Sequence, residues 1–148
     1  MDYRSTARSF GLLDRRSQNY IVTACASLGL TFSEYVLMLN LYENEGVRQA
    51  DMAALMCVDK AVVARTIKML ESKALVSRVQ GTTDKRVKRI YATPAGKAQE
   101  EFLRNVLQRW IDYLSAGVDP LVVPALLQGF AQLAQRAKTA DFSKILNT

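Results

Sequence analysis

The segment TTDKRVKRIYATPAG, Thr82 to Gly96, places four cations, Lys85, Arg86, Lys88 and Arg89, within five positions and then passes directly into Ile90, Tyr91 and a Thr-Pro pair. Like charges this close repel one another, and a negative partner relieves the repulsion. The excess is regional: nine cations stand between Lys60 and Arg89 against two anions, Glu71 and Asp84, so this segment carries +7 while the rest of the chain carries −1. Clustered Lys and Arg gain free energy by displacing counterions from phosphates, which makes the segment a candidate polyanion site. A solvated basic face without a partner is the alternative that charge alone leaves open.

The same inventory argues against catalysis. There is no histidine, which removes Ser-His and Cys-His nucleophile pairs, the common zinc ligand sets and the usual pH switch. The seven glycines are scattered singly and form no phosphate loop. The expectation is a protein that is not an enzyme, with no metal site and no cofactor. Two cysteines, Cys25 and Cys57, are too few for a disulfide framework. No apolar run reaches the roughly 18 residues that span a bilayer, and the first twenty residues lack the apolar core of a signal peptide, so a cytoplasmic location without membrane attachment is the default expectation.

At 148 residues with 49% apolar side chains, the chain has the material for one domain with a real core. Apolar residues at Phe10, Leu13, Tyr20, Ala24 and Leu28 recur at helical intervals and predict a long first helix from about Tyr3 to Leu28. Thr31 and Glu34 have the spacing of a capping box, with Leu30 and Tyr35 placed as a hydrophobic staple, and Gly46 ends the helix they open. Gln49 to Met56 reads as a short helix with Met52, Ala53 and Leu55 inward. Asp59 is a suitable cap for the next helix, which puts Val63, Ile67 and Leu70 on one stripe and turns Lys60, Arg65 and Lys68 elsewhere. LVSRVQ and VKRIYA then alternate with period two around the polar GTTDKR and predict a hairpin. Thr93-Pro94 restarts helix, continued by a stripe of Leu103, Leu107, Trp110 and Leu114. Gly117 breaks it, and Asp119-Pro120 is read as capping a last helix carrying Val123, Leu126, Leu127, Phe130, Leu133 and Ala137, with Pro124 distorting its first turn.

Two short helices followed by a hairpin, with helices on both sides, is the order of a winged helix-turn-helix. The predicted fold class is mainly α with a small β-hairpin wing. On this reading the crowded cations sit on the wing, where contacts to separate phosphates relieve their repulsion.

The stretch VRQADMAALMCVDKAVVARTIKMLESKALVSRVQGTTDKRVKRIYATPAGK resembles the core of the MarR (multiple antibiotic resistance regulator) family of transcription factors. The motif that carries the resemblance is DKRVKRIYAT, Asp84 to Thr93, which follows the family's Asp-x-Arg wing signature into a strand and a Thr-Pro helix start. The resemblance implies a lobe over residues 31–94 that binds double-stranded operator DNA, and dimerisation helices over 1–30 and 95–148 that build a homodimer. It implies that Arg86 enters the minor groove, that Asp84 orients it, and that the helix beginning at Lys60 reads the major groove. The expected DNA-binding set is Lys60, Ala61, Val62, Arg65, Lys68, Lys85, Arg86 and Lys88. Ala61 and Val62 stand where hydroxyl side chains are frequent in the family, so contact with a thymine methyl replaces a polar contact there.

Similar proteins bind small phenolic or carboxylated effectors in a cleft between the dimer helices and the DNA-binding lobe. Tyr20, Tyr35, Met38 and Trp110 are the side chains suited to line one, with plain core as the alternative for each. Cys25 is the candidate redox residue, since some relatives sense oxidants through a first-helix cysteine, although VTACASL offers no cation to stabilise a thiolate. The function expected is a sequence-specific regulator, a ligand-relieved repressor acting as a homodimer on a pseudo-palindromic operator. A winged-helix module whose basic face meets an acidic protein, and a nonspecific architectural DNA binder, are the competing readings.

Overall fold

A computed structural model describes residues 2–147. The first helix, α1, runs Tyr3–Ala24 and is capped by Asp2, whose carboxylate accepts from the Arg4 N–H. It stops four residues short of the expected end, because Cys25 leaves helical geometry and a separate 3-10 turn, Ala26–Leu28, leads to Gly29 at φ 61°. The residues of α1 and its exit that are buried are Ile21 and Cys25, neighbours of the predicted stripe, while Phe10 remains 48% exposed.

Helix α2, Phe32–Glu43, opens with the expected capping box: Glu34 N–H donates to the Thr31 hydroxyl and Thr31 N–H donates to Glu34 Oε2 at 2.7 Å. Leu30 and Tyr35 are both buried, as a staple requires. Helix α3 spans Gln49–Met56 and α4 spans Lys60–Ser72. The Asp59 side chain makes no capping bond, contrary to its predicted role; its backbone carbonyl takes the Val62 and Val63 N–H groups instead. Strands β1, Val76–Gln80, and β2, Lys88–Ala92, pair antiparallel with Val76 opposite Ala92 and Gln80 opposite Lys88. An isolated antiparallel bridge joins Arg48, just before α3, to Arg89 of this two-stranded sheet.

Thr93 caps α5, Pro94–Ala98, and its hydroxyl accepts from the Gly96 N–H, the N1 proline fitting because its missing N–H has no partner there in any helix. Helix α6, Glu100–Ser115, follows after an interruption at Gln99. Its inward residues are Leu103 and Val106, whereas Leu107, placed on the stripe from sequence, is exposed. Helix α7, Val123–Lys138, begins later than Asp119-Pro120 suggested. A start at Pro120 would put Pro124 in the helix interior, where its ring meets a carbonyl and its N–H is missing; the observed start places it in the first turn. Asp119 caps a turn instead, accepting from the Leu121 N–H. A short helix α8, Phe142–Leu146, had no sequence counterpart.

The chain divides into two compact units, Met1–Trp110 and Ile111–Thr148. The core of the first joins Leu37, Met38 and Leu41 of α2, Met52 of α3, Val63, Ile67 and Leu70 of α4, Val76 and Ile90 of the hairpin, and Leu103 of α6. In the second, Leu126, Leu127, Phe130 and Leu133 of α7 are each at least partly solvent-exposed.

Candidate nucleic-acid interface

The apolar side of α4, Val63, Ile67 and Leu70, is buried, and this sets its other side outward. Ala61, Arg65 and Lys68 are spaced i, i+4, i+7, share one face and are exposed; Lys60 is exposed at the first turn and Val62 is half-buried. The hairpin that follows crosses back toward the start of α4. Lys60, Arg86, Val87 and Lys88 line one cleft together with Arg48, Gln49 and Ala50 at the start of α3.

Local chemistry shapes the wing. Gly81 N–H donates to the Val87 carbonyl at 2.7 Å and Val87 N–H to the Asp84 carbonyl at 3.1 Å, closing the loop between the strands. A Cβ at Gly81 would stand 2.6 Å from the Asp84 carbonyl oxygen, so the loop closes this tightly only around glycine. Asp84 Oδ1 accepts the Arg86 N–H at 2.9 Å and lies 3.5 Å from Arg86 Nε. The Arg86 side chain is 94% exposed. The base of the wing is held by Gly46 N–H to the Ile90 carbonyl, Ile90 N–H to the Val47 carbonyl, and Ala92 N–H to Glu45 Oε1.

The nine cations of the basic segment separate into two groups. Arg78 forms a two-point pair with Glu71 at 2.7 and 2.9 Å, Lys73 pairs with Glu34 at 2.6 Å, and Arg89 donates to the Gly46 carbonyl. These three hold the fold together. Lys60, Arg65, Lys68, Lys85 and Lys88 make no ion pair among the described residues, and Arg86 makes only a solvent-exposed one, with Asp84 at 3.5 Å. Six cations are thus left for an external anion, all of them among the eight residues singled out from sequence. Arg48 was missed as a lining residue. It pairs with Asp51 at 2.7 Å in place of a capping side chain, and no local pattern reveals that the strand bridge brings it beside the wing.

The four candidate effector residues occupy two environments. Tyr35 and Met38 are fully buried core; the Tyr35 hydroxyl donates to the Leu103 carbonyl at 2.9 Å, and burial pushes its pKa up to about 12. Tyr20 and Trp110 are half-buried and stacked, ring centroids 4.8 Å apart, with Trp110 Nε1–H donating to Ser17 Oγ. Cys25 is buried, and desolvation raises its thiol pKa, the opposite of what a reactive thiolate needs. Among the described residues no cluster of His, Cys, Asp or Glu has the makings of a metal site, and no helix is long and apolar enough to cross a membrane.

Residues 30–88 match the MarR family model. The chain is 29% identical over 98 residues to YybA, an uncharacterized HTH-type transcriptional regulator of Bacillus subtilis; the alignment covers 66% of this chain and 65% of that protein, just under two thirds of its length. In fold it is similar to a MarR transcriptional regulator from Methanosarcina mazei Go1, with TM-score 0.86 and 21% identity over 90% of this chain and 96% of that one. It is also similar to the transcriptional repressor CouR bound to a 23-mer DNA duplex, with TM-score 0.76 and 21% identity over 85% and 89% of the two chains.

Proposed function

We propose that this chain is a MarR-like, sequence-specific double-stranded DNA-binding regulator that acts as a homodimer, a reading supported by the match of residues 30–88 to the MarR family model and by the similarity of fold to MarR regulators. The observation that carries the reading is the cleft where Lys60 of α4 meets Arg86 and Lys88 of the wing, with the outward side chains of α4 continuing beside Lys60. In this reading α4 lies in the major groove, where Ala61 and Val62 meet base edges and Arg65 and Lys68 hold phosphates. Arg86 reaches the minor groove from a loop that Asp84 braces, and Lys85 and Lys88 contact the backbone. Phosphate contacts set register and base contacts specify, so the combination suits a regulator better than a general polyanion binder. The likeness of fold to a repressor solved on a duplex supports the same docking.

The exposed apolar residues of α7, Leu126, Leu127 and Leu133, support the homodimer, since a lone chain leaves them in water. Residues 1–30 and 95–148 would supply that interface and 31–94 the DNA-binding lobe. A two-fold pair of α4 helices about 34 Å apart reads a pseudo-palindrome. Repression relieved by a small phenolic or carboxylated effector completes the proposal, with Tyr20 and Trp110 the aromatic pair nearest to solvent, in a cytoplasmic protein without enzymatic activity. Selection of bound sequences from a random duplex pool tests the function. Recovery of one enriched palindrome supports it; retention of all sequences alike favours an architectural binder, and no retention at low salt favours a protein partner for the basic face.

A further inference from the structure

Lys73 closes α4, and its ammonium stands 2.6 Å from Glu34 Oε2 and 2.7 Å from the Gly29 carbonyl oxygen. Glu34 is 1% exposed. Its Oε2 also accepts the Thr31 N–H, and among the described residues nothing donates to its Oε1. Among the described residues, the one cation paired with this buried carboxylate therefore comes from the far end of α4, 39 residues along the chain. A buried pair of this kind contributes little net stability compared with apolar packing, yet it tolerates only one arrangement, because separating the partners strands a charge in the core.

The turn after Lys73 is held from its other side as well. Thr93 Oγ1 donates to the Ala74 carbonyl at 2.6 Å, and Thr93 N–H donates to the Leu75 carbonyl at 3.1 Å. Ala74 itself sits at φ 57°, a left-handed conformation that a β-carbon disfavours and that these bonds maintain. The exit of α4 is thus fixed between the start of α2 and the start of α5.

We infer that the pair between buried Glu34 and half-buried Lys73 is a positioning device that sets α4 against the junction of α1 and α2, and so controls operator specificity without supplying attraction for DNA. This rests on α4 being the groove-reading helix. Electrostatic attraction survives a small displacement of α4, since phosphates present a continuous negative surface, whereas base readout requires placement to within a fraction of an ångström.

Glu34 is too deeply buried to touch a duplex, which makes Glu34→Gln the informative substitution: the amide keeps an acceptor for Thr31 and removes the charge that holds Lys73. Affinity for the selected operator is expected to fall about tenfold while affinity for a random duplex at the same salt stays within about twofold. Unchanged operator affinity overturns the inference, and so does an equal loss on both duplexes. Lys73→Met alone and combined with Glu34→Gln closes a cycle in which the double variant should lose no more operator preference than Lys73→Met alone; additive losses also overturn it. Should Glu34→Gln not fold, Lys73→Arg against Lys73→Met decides: the arginine keeps the preference and the methionine loses it, and equal preference refutes the device. A wild-type protein that prefers no sequence defeats the functional reading itself, independently of these variants.

Discussion

Asp84 Oδ1 accepts the backbone N–H of Arg86 at 2.9 Å, and the Arg86 guanidinium lies 3.5 Å from the same oxygen. One carboxylate thus shapes the loop tip and faces the side chain the tip presents. Arg86→Ala is expected to weaken operator binding by about tenfold or more and relax the sequence preference at one position per half-site. Asp84→Ala should lower affinity less and leave the melting temperature nearly unchanged, since both groups are exposed. Operator binding by Arg86→Ala equal to wild type would remove the wing from the interface.

Salt gives an independent measure. The logarithm of the association constant should fall linearly with the logarithm of salt concentration, with a slope of about −0.9 per phosphate neutralised. Lys68→Ala and Lys85→Ala should each make that slope shallower by about 0.9 and weaken all duplexes alike. Fluorescence anisotropy across a salt series reads both effects.

Oligomerisation is tested on α7, where Leu133 is 56% exposed. Leu133→Asp should shift the protein from dimer to monomer in sedimentation equilibrium and reduce operator affinity, because two half-sites are no longer bound together. A wild-type protein that sediments as a monomer at micromolar concentration would contradict the dimer.

The packing of α5 against the α4–β1 turn leaves no space for a side chain at Gly96. A Cβ there would lie 2.1 Å from the Leu75 carbonyl oxygen, backbone that cannot simply rotate away. Gly96→Ala is expected to destabilise by about 1–3 kcal/mol or more in urea unfolding.

Alkaline stability follows from two tyrosines. Burial pushes Tyr35 and Tyr42 from the ordinary value of 10.0 up to about 12, and their hydroxyls donate to the Leu103 and Gly96 carbonyls. The folded state holds these protons more tightly than the unfolded state, so their contribution is fully present below pH 10 and is lost as pH rises through 12. Tyr35→Phe should cost about 1 kcal/mol at neutral pH and flatten part of the alkaline loss followed by circular dichroism.

The elements themselves were legible from sequence wherever the determinant is local. The Thr31–Glu34 capping box, the Gln49–Met56 helix, the hairpin around GTTDKR and the Thr93-Pro94 restart depend on residues a few positions apart, and each stands where the pattern put it. The misplaced features fail for equally local reasons: Asp59 uses its carbonyl instead of its carboxylate, and Pro124 delays the start of α7. The concentration of positive charge, and its assignment to one helix and one hairpin, also came from the chain alone.

Tertiary structure decided what each charge does. Lys73, Arg78 and Arg89 look no different in sequence from Lys68, Lys85 and Lys88, yet the first three are held by Glu34, Glu71 and the Gly46 carbonyl. Two of these partners lie about forty residues away along the chain, and no periodicity or cap reports such a distance. An ion pair forms when the fold brings opposite groups within a few ångströms in low dielectric, so the division between cations that build the lobe and cations left exposed to an external anion exists only after the chain has folded.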